Sequence, residues 1–502
     1  MKSWLYSAIN YQINPRSIAT REPRNPLEAA GEVKDSASIL HYLTTHLDVL
    51  QDLGVTVLHL MPPFPLGKEG RKGIGSPYAA RDYFDVDPEW GTLDEMRAWV
   101  RRAHALGFKV IIGMVPNHSS RDHVWIQEHP DYYVRTENGD AAYDLDWSDT
   151  AKLDYTNPGL REAMIDVYDF WLSLLGTNEQ GQPGGVDGFR LDMAHFINDR
   201  SFWDEALPAL KKRHAGRELL FLAECYGMEN NKDLFRRGMT AAYDDDFYKL
   251  QLYFYGLDEH GHSIILPDHE SAANNHDFAA KYEAFQQGGL AAAAARCILD
   301  YENDSDEMPQ GPFLARYTDN HDEGRGVYRF GEGAVRAIMQ LAFLSPRAIP
   351  FLLSGQEFGA ENRPPIHERI QPCDKGRRML INGHVTQKEG VEFEGNLFAR
   401  GYEKRKAWYA FYQQLIALRK AHPALTQGSF TLLDTNEDAD TKDRTVIAFE
   451  RSHNEEKLVC LINLGPEPRR IGRSSLLKGA AVYGTVEHDV IAAFSAAVFR
   501  LD

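Results

Sequence analysis

A (β/α)8 TIM barrel, α/β in class, with a small inserted subdomain after strand three and a C-terminal all-β sandwich domain, is the fold this chain predicts. Three observations predict it. Strand-like apolar runs alternate with amphipathic helical segments over about the first four-fifths of the 502 residues, the rhythm of parallel strands joined by helical crossovers. A polar, Asp-rich stretch after the third run breaks that rhythm. Beyond Pro423 the pattern becomes short alternating runs, the period of half-buried strands.

The elements follow in order. LYSAINYQI (5–13), VTVLHLMP (55–62) and FKVIIGMVPNH (108–118) read as the first three strands. TLDEMRAWVRRAHALG, between the second and third, reads as a helix with Thr92 as cap, acids in its first turn and Gly107 at its stop. Residues 119–157 show no clear helix and read as the inserted subdomain over the cleft. Helix TNPGLREAMIDVYDFWLSLL leads to strand GVDGFRLD, helix SFWDEALPALKKRH to strand LLFLAE, and AAYDDDFYKLQ is a weaker strand. FLARYTDN, helix GAVRAIMQLAFL and strand AIPFLLSG complete the barrel pattern, and a second long excursion runs over 356–400 before a closing helix. Long irregular insertions in compact domains are usually lids or binding loops. The expected division is 1–118 and 158–423 for the barrel, 119–157 for the insertion and 424–502 for the β domain.

Composition narrows the function. Hydrophobic residues make up 43% and aromatics 11%, enough for a large core. A formal net charge of −18 argues against nucleic acid or an anionic membrane as partner and is compatible with a neutral polyol. Cys225, Cys297, Cys373 and Cys460 are scattered, so neither a disulfide framework nor a zinc site is suggested. MKSWLYSAINYQ lacks a signal-peptide core and no run reaches membrane-spanning length. The expected location is the cytoplasm, or outside the cell if a leader has been removed.

Three apolar runs end in a carboxylate: Asp192, Glu224 and Asp322. Strand ends at the C-terminal mouth of such a barrel carry its chemistry, and two carboxylates flanking a bond are the minimal equipment for glycoside hydrolysis. Arg190 lies two residues before Asp192, on the same strand face, where it can hold a carboxylate ionised. Cys225 reads as a small buried residue, not a nucleophile. The acidic run 244–246 reads as a solvated strand end, with cation binding as the alternative.

GMVPNH (113–118), GFRLDMAHF (188–196), FLAE (221–224) and TDNHD (318–322), with GSPYAARDYFDVDPEWGT (75–92), together resemble the signatures of the α-amylase family of retaining glycoside hydrolases. The resemblance covers nearly the whole chain. It implies Asp192 as nucleophile, Glu224 as acid and then base, and Asp322 as the third acid gripping sugar hydroxyls. It implies Tyr78, His118, Arg190 and His321 as substrate-binding residues in the same pocket. Glu224 would then need apolar walls and the nearby Asp192 charge to keep its proton near neutrality. The implied substrate is a starch-like glucan or maltooligosaccharide, with α-1,4 linkage leading. Transglycosylation, or a glucosidase for short α-1,6 or α-1,1 linkages, is the alternative. A non-catalytic barrel scaffold is the third reading.

Two departures stand out. Gly113 replaces the acid that opens the first signature, which leaves the cleft floor either braced by another group or looser. His195 and Phe196 replace a Lys-His pair that helps to hold calcium and a distal sugar. No cofactor is expected, and the family's calcium site, which uses Asn117 and a carbonyl near the end of the second signature, is expected to be absent or altered. Asp122, Asp131, Asp140, Asp144 and Asp146 in the insertion could supply ligands but read as solvated loop acids.

Overall fold

In the computed structural model, residues 3–18, 38–177, 181, 183–255, 276–302, 312–361, 363, 366–367, 380–381, 384–385, 406–436 and 444–501 are described. Most of the 356–400 excursion, Cys373 and the first residues of the closing helix lie outside them.

Eight strands close a parallel barrel: β1 (Asn10–Ile13), β2 (Val57–Leu60), β3 (Lys109–Met114), β4 (Gly188–Leu191), β5 (Leu220–Ala223), β6 (Ala241–Tyr243), β7 (Phe313–Arg316) and β8 (Ala348–Leu353). Each pairs with its sequence neighbour, and β8 closes on β1 with Leu352 opposite Tyr11. The strands are buried on both faces, which is why they read as near-continuous apolar runs. Val57, Ile111, Leu220, Leu222, Ile349 and Phe351 share one cluster, while Leu58, Val110, Ile112, Phe189 and Phe221 on alternate positions join the helices in another.

Local chemistry sets the helix starts. Thr92 and Glu95 form a full capping box ahead of helix Leu93–Ala105. Asn157 accepts from Gly159 and Leu160 at the start of helix Pro158–Leu172, with Pro158 where a missing N–H costs nothing. Gly188 opens β4 at φ +154°; a Cβ there would lie 1.9 Å from the Leu220 carbonyl oxygen, so only glycine allows β4 and β5 to meet.

Three readings change. The segment before β1 is partly a 3-10 turn, Trp4–Ser7. The weak sixth strand stops at Tyr243, and Asp245–Tyr255 is helical. The acidic run is not solvated: Asp244, Asp245 and Asp246 are buried, paired with Arg316 at 2.8 Å, Lys249 at 2.9 Å and Lys281 at 3.0 Å. Buried carboxylates need such partners; Lys249 lies one turn along the same helix as Asp245, while Arg316 and Lys281 come from segments far apart in sequence. They tie β6 to β7 and to helix His276–Glu302, so the run is an internal brace.

The insertion contains the antiparallel pair His118–Ser120 and Thr150–Lys152, a one-turn helix Trp125–Glu128 and a 3-10 turn Pro130–Tyr132. The C-terminal region forms a five-stranded antiparallel sheet (Ser429–Leu433, Val446–His453, Glu456–Asn463, Ala496–Leu501, Ala480–Tyr483) and a small three-stranded one. One face of the larger sheet, with Phe449, Leu458, Cys460 and Ile462, packs on the barrel helix Gly326–Leu344 through Ile338 and Leu341. Buried Arg451 donates to the Leu344 carbonyl at 2.7 Å across that seam.

Candidate active site

Asp192 and Glu224 directly follow β4 and β5. Their backbone N–H groups continue the ladder, Asp192 to Met114 O at 2.8 Å and Glu224 to Leu191 O at 2.9 Å. The backbone from which each side chain projects is therefore held by the sheet itself. Asp322 lies in the loop after β7, its backbone N–H donating to Asn320 Oδ1 at 2.8 Å. The three acids share one cleft of about 230 Å³ with Tyr78, His118, Trp147, Asp149, Met193, Tyr226, Lys72 and His367, a little under the range of about 300–1,000 Å³ usual for ligand sites.

Arg190, fully buried below, forks between the two strand-end acids: Nη1 is 2.6 Å from Asp192 Oδ1 and Nη2 is 2.8 Å from Glu224 Oε2. The Tyr78 and Tyr243 rings face the guanidinium at 5.5 and 5.4 Å. Glu224 Oε2 also accepts from the Met193 N–H at 2.9 Å, and Tyr226 donates its hydroxyl to Oε1 at 2.8 Å. Met193 takes φ +43°, a costly conformation for a non-glycine residue. It turns the N–H after Asp192 toward Glu224.

Burial, then the Glu224 charge, push the Asp192 carboxyl well above the ordinary carboxylate range, against the pull of Arg190. Asp322 goes the other way. Its side chain is half exposed, and the His321 Nε2 at 2.9 Å together with the nearby Arg363 and Arg190 charges favours the carboxylate. His118 is pushed down to about 4 by burial, which leaves a neutral imidazole at the cleft wall near neutrality.

The structure thus brings the seven expected residues together, in two layers. Tyr78, His118 and the three acids line the cleft; Arg190 and His321 are fully buried and do not line it. His321 Nε2 is engaged by Asp322 Oδ2 at 2.9 Å and by the Tyr78 hydroxyl. The expectation of all seven in one pocket therefore changes: His321 faces other side chains, because the loop after β7 tucks it behind Tyr78. Sequence reading missed Tyr226, Trp147, Asp149, Lys72 and Arg363. Tyr226, two residues after Glu224, had a local signal in its spacing; the others reach the site through loops whose path no local pattern reveals.

Gly113 is explained by crowding. A Cβ at 113 would lie 2.5 Å from Pro62 Cδ. Pro62 thus fills the space beside β3 where an acid would start, and Glu224, Asp192 and Tyr243 surround Arg190 instead.

Calcium takes six to eight oxygen ligands. Asn117 offers its amide N–H to Asp144 Oδ2 at 2.9 Å; the other Asp144 oxygen faces the Lys152 ammonium at 2.7 Å. The His195 carbonyl, beside the one at Phe196, accepts from Arg200 at 2.8 Å. Asn117 Oδ1 is left buried without a hydrogen-bond partner, but the carboxylate beside it is already held by the Asn117 amide and the Lys152 ammonium, and that set is not an oxygen cage for calcium. Asp144 is thus an ion-pair partner, not the solvated acid expected, and Asp122 likewise accepts from the Lys68 N–H at 3.0 Å.

A closed parallel barrel with three acids and an arginine at its mouth has the layout of a glycoside-processing enzyme. The family model "Alpha amylase, catalytic domain" matches residues 30–147 and 138–428, and the chain belongs to the α-amylase family of α-glucan-acting enzymes. It is 26% identical to Alpha-amylase 3 of Dictyoglomus thermophilum, over 92% of this chain and 85% of that protein. It is 23% identical to an oligo-1,6-glucosidase of Halalkalibacterium halodurans, over 92% and 90%. Trehalose synthase/amylase TreS of Mycobacterium tuberculosis is 34% identical over 39% of this chain and 34% of its own. In fold, Eubacterium rectale Amy13B superposes with a TM-score of 0.71 at 20% identity, covering 99% of this chain and 96% of that one. No helix among the described residues is long and apolar enough to cross a membrane.

Proposed function

We propose that this enzyme is a retaining glycosidase that hydrolyses α-1,4 bonds in maltooligosaccharides or starch-like glucans. The observation that carries the reading is the Arg190 fork, which holds Asp192 and Glu224 side by side on neighbouring strand ends. In the first step an Asp192 oxygen forms a bond to the anomeric carbon as the glycosidic C–O bond breaks. Glu224 gives its proton to the departing oxygen. In the second step Glu224 takes a proton from water, whose oxygen displaces Asp192 and restores the free carboxylate. Arg190 favours the ionised nucleophile, and Asp322, kept ionised, suits hydrogen bonding to sugar hydroxyls as the ring gains positive charge. The exposed ring of Tyr226 beside Glu224 favours a second reading, transfer to an acceptor sugar, because an aromatic face can hold that sugar in place of water.

The test is product analysis on maltooligosaccharides, starch, isomaltose, trehalose and sucrose, with the anomer followed by NMR. Shorter maltooligosaccharides released first as the α-anomer are expected. Initial β-anomer would overturn retention, and turnover confined to isomaltose, trehalose or sucrose would overturn the linkage. Longer products at high substrate concentration would establish transfer.

A further inference from the structure

Gln12, fully buried in β1, meets His321 from the far side of the barrel seam. Its Oε1 accepts the His321 backbone N–H at 3.2 Å and its Nε2 lies 3.0 Å from His321 Nδ1. A backbone N–H can only donate, so it fixes which end of the amide is oxygen. The amide nitrogen must then donate to Nδ1, and Nδ1 must carry a lone pair. The ring proton is left on Nε2, the nitrogen facing Asp322 and Tyr78.

We propose that Gln12 is a positioning residue: it locks His321 as the neutral Nε2–H tautomer, and His321 in turn fixes the Asp322 carboxylate in the cleft. This rests on the glycosidase reading for its catalytic consequence, though not for the tautomer itself. The charged and titratable groups around His321 are Asp322, Tyr78, His59 behind it, Arg190 beneath Tyr78, and Arg363, which donates to the His321 carbonyl at 2.8 Å. Asp322 by itself would favour an imidazolium. Gln12 opposes it, because a proton on Nδ1 would face another N–H. The second nitrogen of a functional histidine decides the state of the first, and here its partner, Gln12, sits on a strand outside the acid-bearing set.

Gln12→Glu separates this role from simple packing. The variant keeps an acceptor for the His321 backbone N–H but turns the donor toward Nδ1 into an acceptor, which invites the second proton. In 15N-histidine-labelled wild type, with His321 assigned by its loss in His321→Gln, Nδ1 should be unprotonated and Nε2 protonated from pH 6 to 8. In Gln12→Glu, Nδ1 should become protonated. On maltooligosaccharides kcat should fall at least about tenfold, as expected for a displaced catalytic-site group, and the kcat/KM profile should gain a limb in the histidine range. An imidazolium or an Nδ1–H tautomer in wild type overturns the proposal, and so does a Gln12→Glu enzyme with the wild-type pH profile. If Gln12→Glu does not fold, the wild-type spectrum still decides. A correct tautomer in an enzyme that ignores maltooligosaccharides would refute the glycosidase reading and leave the lock standing.

Discussion

The Lys152 ammonium sits 2.7 Å from Asp144 Oδ1, while Asn117 donates to the other oxygen of the same carboxylate. Lys152 and Asp144 both belong to the insertion and Asn117 to the loop leaving β3, so the Asp144 carboxylate, held in place by the lysine, ties insertion to barrel through Asn117 in a family where calcium is the usual tie. A chelator should leave Tm unchanged. Lys152→Met should lower it by a few degrees, because removing one partner of a half-buried pair strands the other at a cost of about 1–3 kcal/mol. A chelator-induced drop in the wild-type melt, reversed by calcium, would contradict this.

Asp192→Asn and Glu224→Gln should each lower kcat by about a thousandfold or more with circular dichroism and Tm near wild type, since each group has its own covalent or proton-transfer task. Either variant retaining a tenth of the activity would remove that carboxyl from the mechanism.

The pH profile should be bell-shaped. Activity needs one proton on the Asp192–Glu224 pair, so it falls on the acid side when Asp192 takes a second and on the basic side when the pair loses its last. Burial and Glu224 raise the Asp192 carboxyl while Arg190 lowers it. Arg190→Met should therefore move the acid limb to higher pH, besides slowing the enzyme. A limb that stays in place or moves down would show that Arg190 does not hold Asp192 ionised.

Tyr226→Phe removes the hydroxyl that donates to Glu224 Oε1 at 2.8 Å and keeps the ring. If the ring holds an acceptor sugar, the ratio of transfer to hydrolysis should persist in Phe and drop in Ala. Equal ratios in both variants would leave the ring without that role.

His123, buried against Tyr83 and Trp125, is pushed down to about 3 by burial. The unfolded chain takes up that proton near pH 6.5 and the folded chain does not. Its contribution is thus complete above pH 6.5 and drains away below it, by up to about 1.4 kcal/mol per pH unit. His123→Asn, whose oxygen can still accept from the Trp125 N–H, should narrow the gap in Tm between pH 7.5 and 5. An unchanged gap would place the acid sensitivity elsewhere.

The sequence alone determined the barrel rhythm, the Thr92 helix cap, the strand-end placement of Asp192 and Glu224, and the buried, inert Cys225. Each rests on neighbours within a few residues: apolar period, cap spacing and a carboxylate at the end of a run. Only the tertiary structure decided that Arg190 serves both acids at once, that Pro62 excludes a side chain at 113, that the acidic run at 244–246 turns inward, and that Lys152 answers Asp144. It also set Gln12 against His321, 309 residues away. The physical reason is barrel closure. Pairing β8 onto β1 brings the first strand beside the loop that follows β7, and the partner of a buried polar group is then fixed by which strands are adjacent in the ring, which no local period records.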